Sequence, residues 1–340
     1  MRPSRILITG ATGFIGARVT GLLASGTAGG PRPARPALRL LVHRSRPGLP
    51  GADPVEVRRG SLSDPASLHG LCDGVDTVLH LASRIGGSLE QCRAVNDTGT
   101  AALLAEAERS GTVQRLIQLG TTAVYRDGAH RGAAEEELPL GPSSPTSITR
   151  LAGEERVLAA GGLVLRPHLV YGRDDLWVVP ALARFMTELP HWVDGGRARM
   201  SVIGVRDLAR VITALALRPS LPRGEVLTAA RSEPVTGKEL FTAAARAVGL
   251  PLPAGEVSYA QALAWPGTEQ DPGWQRRLSL LTVDHWYDSS RLWRLLDTEP
   301  GTSFADDFAA DADWYRSRLA GRYGGISGPT HTVSGARSAG

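Results

Sequence analysis

The sequence predicts an α/β fold, in which a doubly wound parallel sheet is followed by a smaller C-terminal lobe. Three observations predict it. Six short apolar runs alternate with segments of helical period, a glycine-rich loop lies between the first run and the first helix, and the alternation ends after Tyr171. Strands that alternate with helices form parallel βαβ units. Because such a sheet binds ligands at the carboxyl ends of its strands, the residues that follow each apolar run are candidates for a binding site.

The N-terminal half carries the regular alternation. The strands are expected at residues 6–9, 38–42, 55–58, 77–81, 116–119 and 163–165, and the helices at residues 17–24, 98–110 and 151–159. The Gly/Pro-rich residues 26–36 are expected to form a surface loop between the first helix and the second strand.

The C-terminal part is less regular. Helical period is found at residues 180–188, after Asp207 and within residues 234–250, whereas residues 252–286 are expected to be irregular. Residues 324–340 are rich in Gly, Ser and Thr and have hardly any apolar content, so they are expected to be disordered.

Composition excludes several classes of protein. The chain has 340 residues, 42% of them hydrophobic and 21% charged, which is unlike a disordered, collagen-like or disulfide-framework chain. No apolar stretch reaches the roughly 18 to 20 residues that a membrane helix needs, and the first apolar run is too short for a signal peptide. The net charge of +4, with scattered arginines, does not indicate a nucleic-acid surface. The two cysteines, Cys72 and Cys92, fit a reducing cytoplasm.

The strongest motif is Thr9-Gly10-Ala11-Thr12-Gly13-Phe14-Ile15-Gly16, directly after the first strand. Gly10 permits a tight turn, Gly13 lets backbone amides approach a pyrophosphate, and Gly16 lets the helix pack closely on the strand. The N-terminus of the helix then faces the phosphates. The motif predicts a Rossmann dinucleotide site, and the loop residues expected to contact the cofactor are Gly10, Thr12, Gly13, Phe14, Ile15 and Gly16.

The end of the second strand indicates which dinucleotide binds. An NAD site normally offers an acidic residue about 20 positions after the glycines, but this chain has none before Asp53. The strand ends instead in Val42-His43-Arg44-Ser45-Arg46, where Arg44, helped by His43 or Arg46, can pair with a 2′-phosphate. We therefore expect NADP(H), the alternative being an arginine-rich surface turn without a ligand.

Further motifs follow the later strands. They are Gly60-Ser61-Leu62, His80-Leu81-Ala82-Ser83, Gly120-Thr121-Thr122-Ala123-Val124-Tyr125 and Arg166-Pro167-His168-Leu169-Val170-Tyr171-Gly172. With the glycine loop, they make nearly the whole chain before the tail resemble an extended, atypical short-chain dehydrogenase/reductase, close to the NAD-dependent epimerase/dehydratase group. The resemblance implies cofactor contacts from Ser61 and Leu62 near the adenine, from Leu81, Ala82 and Ser83, and from Pro167 and Leu169 near the nicotinamide.

The central signature of that family, a tyrosine followed four residues later by a lysine, is missing. In the family the tyrosine exchanges the proton on the substrate oxygen, and the lysine lowers the pKa of the tyrosine and holds the nicotinamide ribose. Aligned on the flanking residues, Thr146 stands at the tyrosine position and Arg150 at the lysine position. Lys238 is the only lysine and Pro234 precedes it by four residues, so no Tyr-x-x-x-Lys exists in the chain.

The replacements change the chemistry that is available. A threonine alcohol is too weak an acid to act as the tyrosine does, so we expect Thr146 to begin a helix without a chemical role. Arg150 cannot relay a proton, but it can bind ribose or phosphate as a fixed cation. Thr121 can donate a hydrogen bond to a developing oxyanion, although it is equally explained as a packed hydroxyl at the end of a strand.

Two classes of function remain open. The first is an NADPH-dependent ketoreductase whose proton comes from water or from a hydroxyl beside the carbonyl, as in a hydroxylated aromatic polyketide. In this respect the chain resembles the atypical ketoreductases of antibiotic biosynthesis, including those that act on angucyclinones. The second is a non-catalytic NADP-binding regulator. An epimerase or dehydratase is disfavoured, because those reactions also depend on the tyrosine.

Other sites are less well indicated. The eight histidines show no metal-ligand spacing, and no Gly-x-Ser-x-Gly elbow exists. Trp265, Trp274 and Trp286 are expected mainly to pack the C-terminal lobe, with one or two lining an aromatic substrate pocket. The expected domains are an NADP-binding Rossmann domain at 1–172, a mainly substrate-binding lobe at 173–322 with some segments returning to the Rossmann domain, and a disordered tail at 323–340.

Overall fold

The computed structural model describes residues 4–26, 35–44, 55–268, 270–271, 273–298 and 301–319. The strands in these residues are β1 (Arg5–Thr9), β2 (Ala37–Val42), β3 (Val55–Arg59), β4 (Thr77–His80), β5 (Arg115–Leu119), β6 (His130–Ala133), β7 (Leu163–Pro167), β8 (Leu169–Tyr171), β9 (Trp192–Val193), β10 (Arg199–Met200), β11 (Val202–Gly204), β12 (Glu225–Ala229), β13 (Val235–Thr236), β14 (Glu256–Val257) and β15 (His285–Tyr287).

The helices cover both faces of the large sheet and build the C-terminal lobe. They are α1 (Phe14–Ser25), α2 (Leu89–Asn96), α3 (Thr98–Ser110), α4 (Pro145–Ala159), α5 (Val178–Glu188), α6 (Val205–Leu217), α7 (Gly237–Val248), α8 (Tyr259–Leu263), α9 (Trp274–Thr282), α10 (Ser290–Leu296), α11 (Phe304–Ala309) and α12 (Ala312–Leu319), with 3₁₀ turns at Pro65–Leu68, Thr122–Val124 and Asp194–Gly196.

The large sheet has the strand order β12-β7-β5-β4-β1-β2-β3, and every pair is parallel. Ile6, Leu7 and Ile8 of the central strand β1 are fully buried, because helices cover a parallel sheet on both faces. The doubly wound α/β fold is therefore confirmed, with all six expected strands present. The fourth ends at His80, one residue earlier than expected. The strand order reverses between β1 and β4, which is the switch point where such sheets bind ligands.

The seventh strand, β12, was not expected from the sequence. It joins the sheet beside β7, although it follows the first segments of the C-terminal lobe. Helix α6 is one of the helices that cover the large sheet. It packs against α1 and buries Leu208, Ile212 and Leu215 in the hydrophobic core that also contains β1. This helix begins at Val205, two residues before Asp207, which lies in its first turn, where a negative charge is favourable.

The C-terminal lobe has its own hydrophobic core between α5, α7, α9 and α12. Phe185 and Trp274 stack there with ring centroids 5.4 Å apart. The expectation that residues 252–286 are irregular is wrong, because they contain α8 and α9. These helices have only 5 and 9 residues, too short for a periodic pattern to stand out in a window of about 11 to 18 residues.

Two expectations fall on residues that the structure does not describe. Most of the predicted loop at 26–36 and all of the predicted tail at 324–340 lie outside the described residues. Within the described residues, no helix combines the length and the apolar character that crossing a membrane requires.

Candidate active site

A cleft of about 800 Å³ lies at the carboxyl ends of β1, β2, β4, β5 and β7, at the switch point of the sheet. The residues proposed from the sequence that line this cleft are Gly10, Thr12, Gly13, Phe14, Ile15, Gly16, His43, Ser61, Leu62, Leu81, Ala82, Ser83, Thr121, Arg150 and Pro167.

Arg44, Thr146 and Leu169 do not belong to the lining. Leu169 packs against the core of the C-terminal lobe, whereas its neighbours His168 and Val170 line the cleft. Side chains alternate between the two faces of a strand, so only every second position of β8 can face the cleft. The structure thus places the side chain of Leu169 outside the lining, and a contact from this residue to the nicotinamide remains a prediction.

The glycine loop forms the wall of the cleft that an anion would approach. Gly10 has a φ of 71°, and a Cβ there would lie 2.7 Å from the backbone nitrogen of Ala82. A Cβ on Gly16 would overlap the carbonyl oxygen of Gly10. Gly13 caps α1 without a side-chain hydrogen bond, and the first turn holds no acidic residue. The free N–H groups of the first turn of α1 are therefore suited to bind a pyrophosphate, and the loop fits a dinucleotide.

The end of β2 forms the part of the cleft where a ribose would lie. The residues that line this part are Leu41, His43, Gly60, Ser61 and Leu62, none of which is acidic. Arg44 follows His43 and is exposed to solvent just outside the lining. Arg46 lies outside the described residues.

His80 ties the ends of β1 and β4 together beneath the cleft. The Thr100 hydroxyl donates to the carbonyl oxygen of Asn96 (2.7 Å), so it must accept from Nε2–H of His80 (3.0 Å). Nδ1 of His80 then accepts from the Thr9 hydroxyl (2.8 Å), which itself accepts from the N–H of Ala82 (3.3 Å). Complete burial, together with the charge of Arg150, lowers the pKa of His80 to about 4, so the imidazole is neutral.

Three further histidines are packed beside the cleft. Nδ1 of His168 lies 2.8 Å from the Thr122 hydroxyl, and its ring stacks on that of His285 with centroids 5.5 Å apart. Nδ1 of His130 lies 2.9 Å from the hydroxyl of Tyr287. Burial lowers the pKa of all three histidines. Of the three, His168 lines the cleft, so this histidine cluster adds no charge to the lining at neutral pH.

Thr146, at the position of the family's tyrosine, holds the main chain and does not face the cleft. Its hydroxyl oxygen accepts from the N–H of Gly86 (3.0 Å) and lies 3.9 Å from Sγ of Cys92. Thr146 lies in the first turn of helix α4, one residue after its start at Pro145, and ties this helix to the loop before α2. No proton donor therefore stands at this position in the cleft lining of the described residues.

Arg150, at the position of the family's lysine, lines the cleft but is bound to the main chain. Its Nη2 donates to the carbonyl oxygens of Leu119 (2.9 Å) and Gly120 (2.6 Å) at the end of β5. Burial lowers the pKa of Arg150, but a guanidinium remains charged at any physiological pH. The side chain therefore places a fixed positive charge in the wall of the cleft.

Thr121 presents a hydroxyl to the cleft at the end of β5. Its backbone N–H donates to Oε1 of Glu154 (3.1 Å), and its hydroxyl oxygen accepts from the N–H of Ala123 (3.2 Å). Among the described residues, the proton of this hydroxyl has no acceptor. It is therefore available to an oxygen atom of a bound substrate.

Sequence reasoning missed several residues of the lining. Ile85 and Trp177 line the cleft and are 47% and 57% exposed, whereas Trp265, Trp274 and Trp286 do not line it. Trp177 lies just before α5 and outside any motif, so its large apolar side chain between the last motif and the next helical segment was the available signal.

The fold and the cleft together define a Rossmann-type α/β protein, whose cleft at the switch point of the sheet has the shape and the glycine loop that suit a dinucleotide. Residues 6–230 match the family model described as the NAD dependent epimerase/dehydratase family. The chain belongs to this family. It is an oxidoreductase-type enzyme of a family that works with a nicotinamide dinucleotide.

Relatives of known function include both reductases and dehydratases. A 4-hydroxy-2-methyl-3-oxo-4-farnesyl-3,4-dihydroquinoline-1-oxide ketoreductase of Stigmatella aurantiaca is 28% identical over 272 residues, which are 76% of this chain and 78% of the relative. A dTDP-glucose 4,6-dehydratase of Streptomyces griseus is 30% identical over 333 residues, 92% of this chain and 94% of the relative.

The fold is also found in solved structures. A short-chain dehydrogenase/reductase superfamily protein of Agrobacterium tumefaciens with bound NAD superposes with a TM-score of 0.69. The two sequences are 21% identical, and the superposition covers 93% of this chain and 98% of the Agrobacterium chain.

Proposed function

We propose that this chain is an NADPH-dependent ketoreductase that reduces a carbonyl of an aromatic polyketide-type substrate without a tyrosine acid. The observation that carries the proposal is the division of roles at the end of β5. The Thr121 hydroxyl is available to the cleft, whereas Thr146 and Arg150 are engaged with the main chain. The same proposal includes a cytoplasmic location, which the two unpaired cysteines favour, and the division into a Rossmann domain, a substrate lobe and a tail given above.

NADPH is proposed over NADH on the chemistry of the ribose end of the cleft. Among the described residues that line this end of the cleft are His43, Gly60 and Ser61, but none carries a carboxylate that could bind a ribose hydroxyl. Arg44 lies beside it with its guanidinium in solvent, where it can pair with a 2′-phosphate.

The reaction proposed here needs little from the protein beyond placement. A reduced nicotinamide held against the glycine loop would supply a hydride to the carbonyl carbon. The electron pair of the C=O π bond moves onto the oxygen, toward which Thr121 donates its hydroxyl hydrogen bond. The resulting alkoxide takes a proton from a hydroxyl next to it on the substrate, or from water, and the substrate hydroxyl recovers its proton from solvent.

An aromatic substrate is supported by the rim of the cleft and by a relative. Trp177 and Ile85 expose large apolar surfaces at the lining, which suits a flat, apolar ligand. The Stigmatella relative's substrate carries a hydroxyl at position 4 beside the oxo group at position 3 of a dihydroquinoline, as its name states. We propose that the substrate of this chain is a polycyclic aromatic ketone that likewise carries a hydroxyl next to the carbonyl. It would be of the angucyclinone type found in simocyclinone biosynthesis.

A pair of substrates tests this function. A hydroxylated polycyclic ketone and its methyl ether at the neighbouring hydroxyl are incubated with enzyme and NADPH, and loss of the nicotinamide absorbance is followed. We expect the parent to be reduced and the ether to lose about a hundredfold in rate, the scale of general acid catalysis, while calorimetry shows unchanged NADPH binding. An ether that binds and is reduced at the parent rate would refute the substrate-derived proton.

The second candidate function is a non-catalytic NADP-binding regulator, which the intact glycine loop and the missing dyad also allow. It predicts tight NADPH binding without NADPH consumption by any aromatic ketone, so the same assay separates the two. A sugar-nucleotide dehydratase, the activity named for the Streptomyces relative, is the weaker alternative. It is weaker because Thr146 stands where the dehydratase reaction needs a tyrosine, and the Thr146 hydroxyl accepts a hydrogen bond from the N–H of Gly86.

A further inference from the structure

A buried carboxylate holds the end of β5 from beneath the cleft. Glu154, on α4, is fully buried, and its Oε1 accepts from the N–H of Thr121 (3.1 Å). Its Oε2 accepts from Nε of Arg166 (2.8 Å), whose side chain on β7 is only 4% exposed. One side chain therefore fixes the wall of the cleft to the neighbouring strand.

The partners of this carboxylate require it to be ionised. Burial raises the pKa of Glu154, whereas the guanidinium groups of Arg166 and Arg150 act in the opposite direction. Both carboxylate oxygens accept an N–H bond, and Arg166 cannot lose its proton, so the charged form is the one that satisfies every partner. Any neutral replacement leaves a donor without an acceptor.

The pair cannot shift as a unit. Nη1 of Arg166 also donates to the hydroxyl oxygen of Tyr125 (3.1 Å), and this hydroxyl donates to the carbonyl oxygen of Glu135 (3.0 Å). Gly120 leaves just enough room for the carboxylate, because a Cβ at that position would overlap Oε1 of Glu154. The Thr121 backbone is therefore anchored by a chain of hydrogen bonds that runs through Glu154, Arg166 and Tyr125.

We propose that Glu154 is a positioning residue, which holds the Thr121 hydroxyl where it can donate to the oxygen of the reacting carbonyl. The proposal rests on the function proposed above and names a residue that makes no contact with the substrate. Since the Thr121 hydroxyl oxygen also accepts from the N–H of Ala123, the donor direction follows the main chain at Thr121. A donor that is displaced by about 1 Å loses much of its effect on the transition state.

The first variant is Glu154→Gln, with Glu155→Gln as the matched control. Glu155 is the next residue on the same helix and is exposed to solvent. The introduced amide keeps the shape of the carboxylate but has one oxygen for two donors. The charged Arg166 takes that oxygen, which leaves the N–H of Thr121 facing an amide N–H. We expect kcat to fall at least about tenfold, with KM and the Kd for NADPH changed by less than about twofold. The control should match the wild type.

A double-mutant cycle separates positioning from general damage to the fold. If Glu154 acts through Thr121, then Glu154→Gln should have almost no further effect on kcat in a Thr121→Val background. An equal loss of kcat in both backgrounds would overturn the proposal, and so would a Glu154→Gln enzyme with the wild-type kcat.

A second variant keeps the test decisive if Glu154→Gln does not fold. Adding Arg166→Met to Glu154→Gln removes the buried unpaired charge and returns the oxygen of the introduced amide to the N–H of Thr121. We expect this double variant to fold and to recover kcat to within about threefold of the wild type. A folded double variant that remains at least tenfold impaired contradicts the proposal. Failure of the proposed function is distinct, because the wild type would then reduce no aromatic ketone at all.

Discussion

Acidification should destabilise this protein through His80 in particular. The ordinary pKa of a histidine is 6.5, and complete burial with the charge of Arg150 lowers that of His80 to about 4 in the folded chain. The unfolded chain therefore binds the proton more tightly. The free energy of unfolding has its full value above pH 6.5 and decreases as the pH falls from 6.5 toward 4.

The size of the effect follows from the two pKa values. Each pH unit between them is worth about 1.4 kcal/mol, so the full loss is about 3.5 kcal/mol. Between about pH 7.5 and about pH 5, His80 alone should remove about 2 kcal/mol from the free energy of unfolding. The lowered pKa values of His130, His168 and His285 act in the same direction and steepen the total.

Urea unfolding at the two pH values isolates the contribution of His80. The pH-dependent loss should be about 2 kcal/mol smaller in His80→Gln than in the wild type, whereas His69→Gln, at an exposed position, should leave the loss unchanged. An NMR titration should also find the His80 ring neutral at about pH 5. If the loss is the same in His80→Gln as in the wild type, or if the ring is already protonated at that pH, the reasoning is refuted.

Three further changes test the site. Arg44→Ala should weaken NADPH binding by about 1.5 to 3 kcal/mol and barely alter NADH binding, with Arg246→Ala on the distant lobe as control; equal affinity of the wild type for both cofactors would contradict it. Gly13→Val should lose NADPH binding but still fold, because its Cβ would make one tight contact, 3.3 Å from the carbonyl oxygen of Gly10, which a shift of the loop by a few tenths of an ångström relieves; normal affinity by calorimetry in a folded variant would mean that the loop is not the phosphate site. Thr146→Val should cost well under the roughly hundredfold of general acid catalysis, and Thr121→Val should cost more, because of these two residues it is Thr121 that lines the cleft with a free hydroxyl proton. The reverse order of the two rate losses would restore a proton donor at position 146.

The fold was predictable from the sequence because its signals are local. Every predicted strand carries apolar residues close together in the sequence, without interruption in β1 and at the start of β7, and the glycine loop marks the junction of β1 and α1. Strand β12 escaped prediction because Glu225–Ala229 is a short segment whose partner, β7, is remote in the sequence. Helices α8 and α9 escaped because they are shorter than the window in which helical period becomes visible.

The site was predictable only where a motif fixes the backbone. The glycine loop and the residues after β4 and β5 belong to the lining, because motifs set the turns on which they lie. What a side chain does within a turn depends on partners that are distant in the sequence. Nothing near Thr146 in the sequence shows that its hydroxyl binds Gly86, and nothing near Thr121 shows that Glu154 holds its amide.

The late arrival of β12 has a consequence for synthesis on the ribosome. Strand β7 lies between β5 and β12 in the finished sheet, so the newly made chain has an open backbone edge at β7 until residues 225–229 emerge. At about 5 to 20 residues per second, translation of residues 168–224 leaves that edge unpaired for several seconds. An unpaired edge that starts with the apolar residues Leu163, Val164 and Leu165 is a template for pairing with other nascent chains. We therefore expect a fragment that stops at residue 172 to aggregate through the unpaired edge of β7. A fragment that continues through β12 pairs this edge.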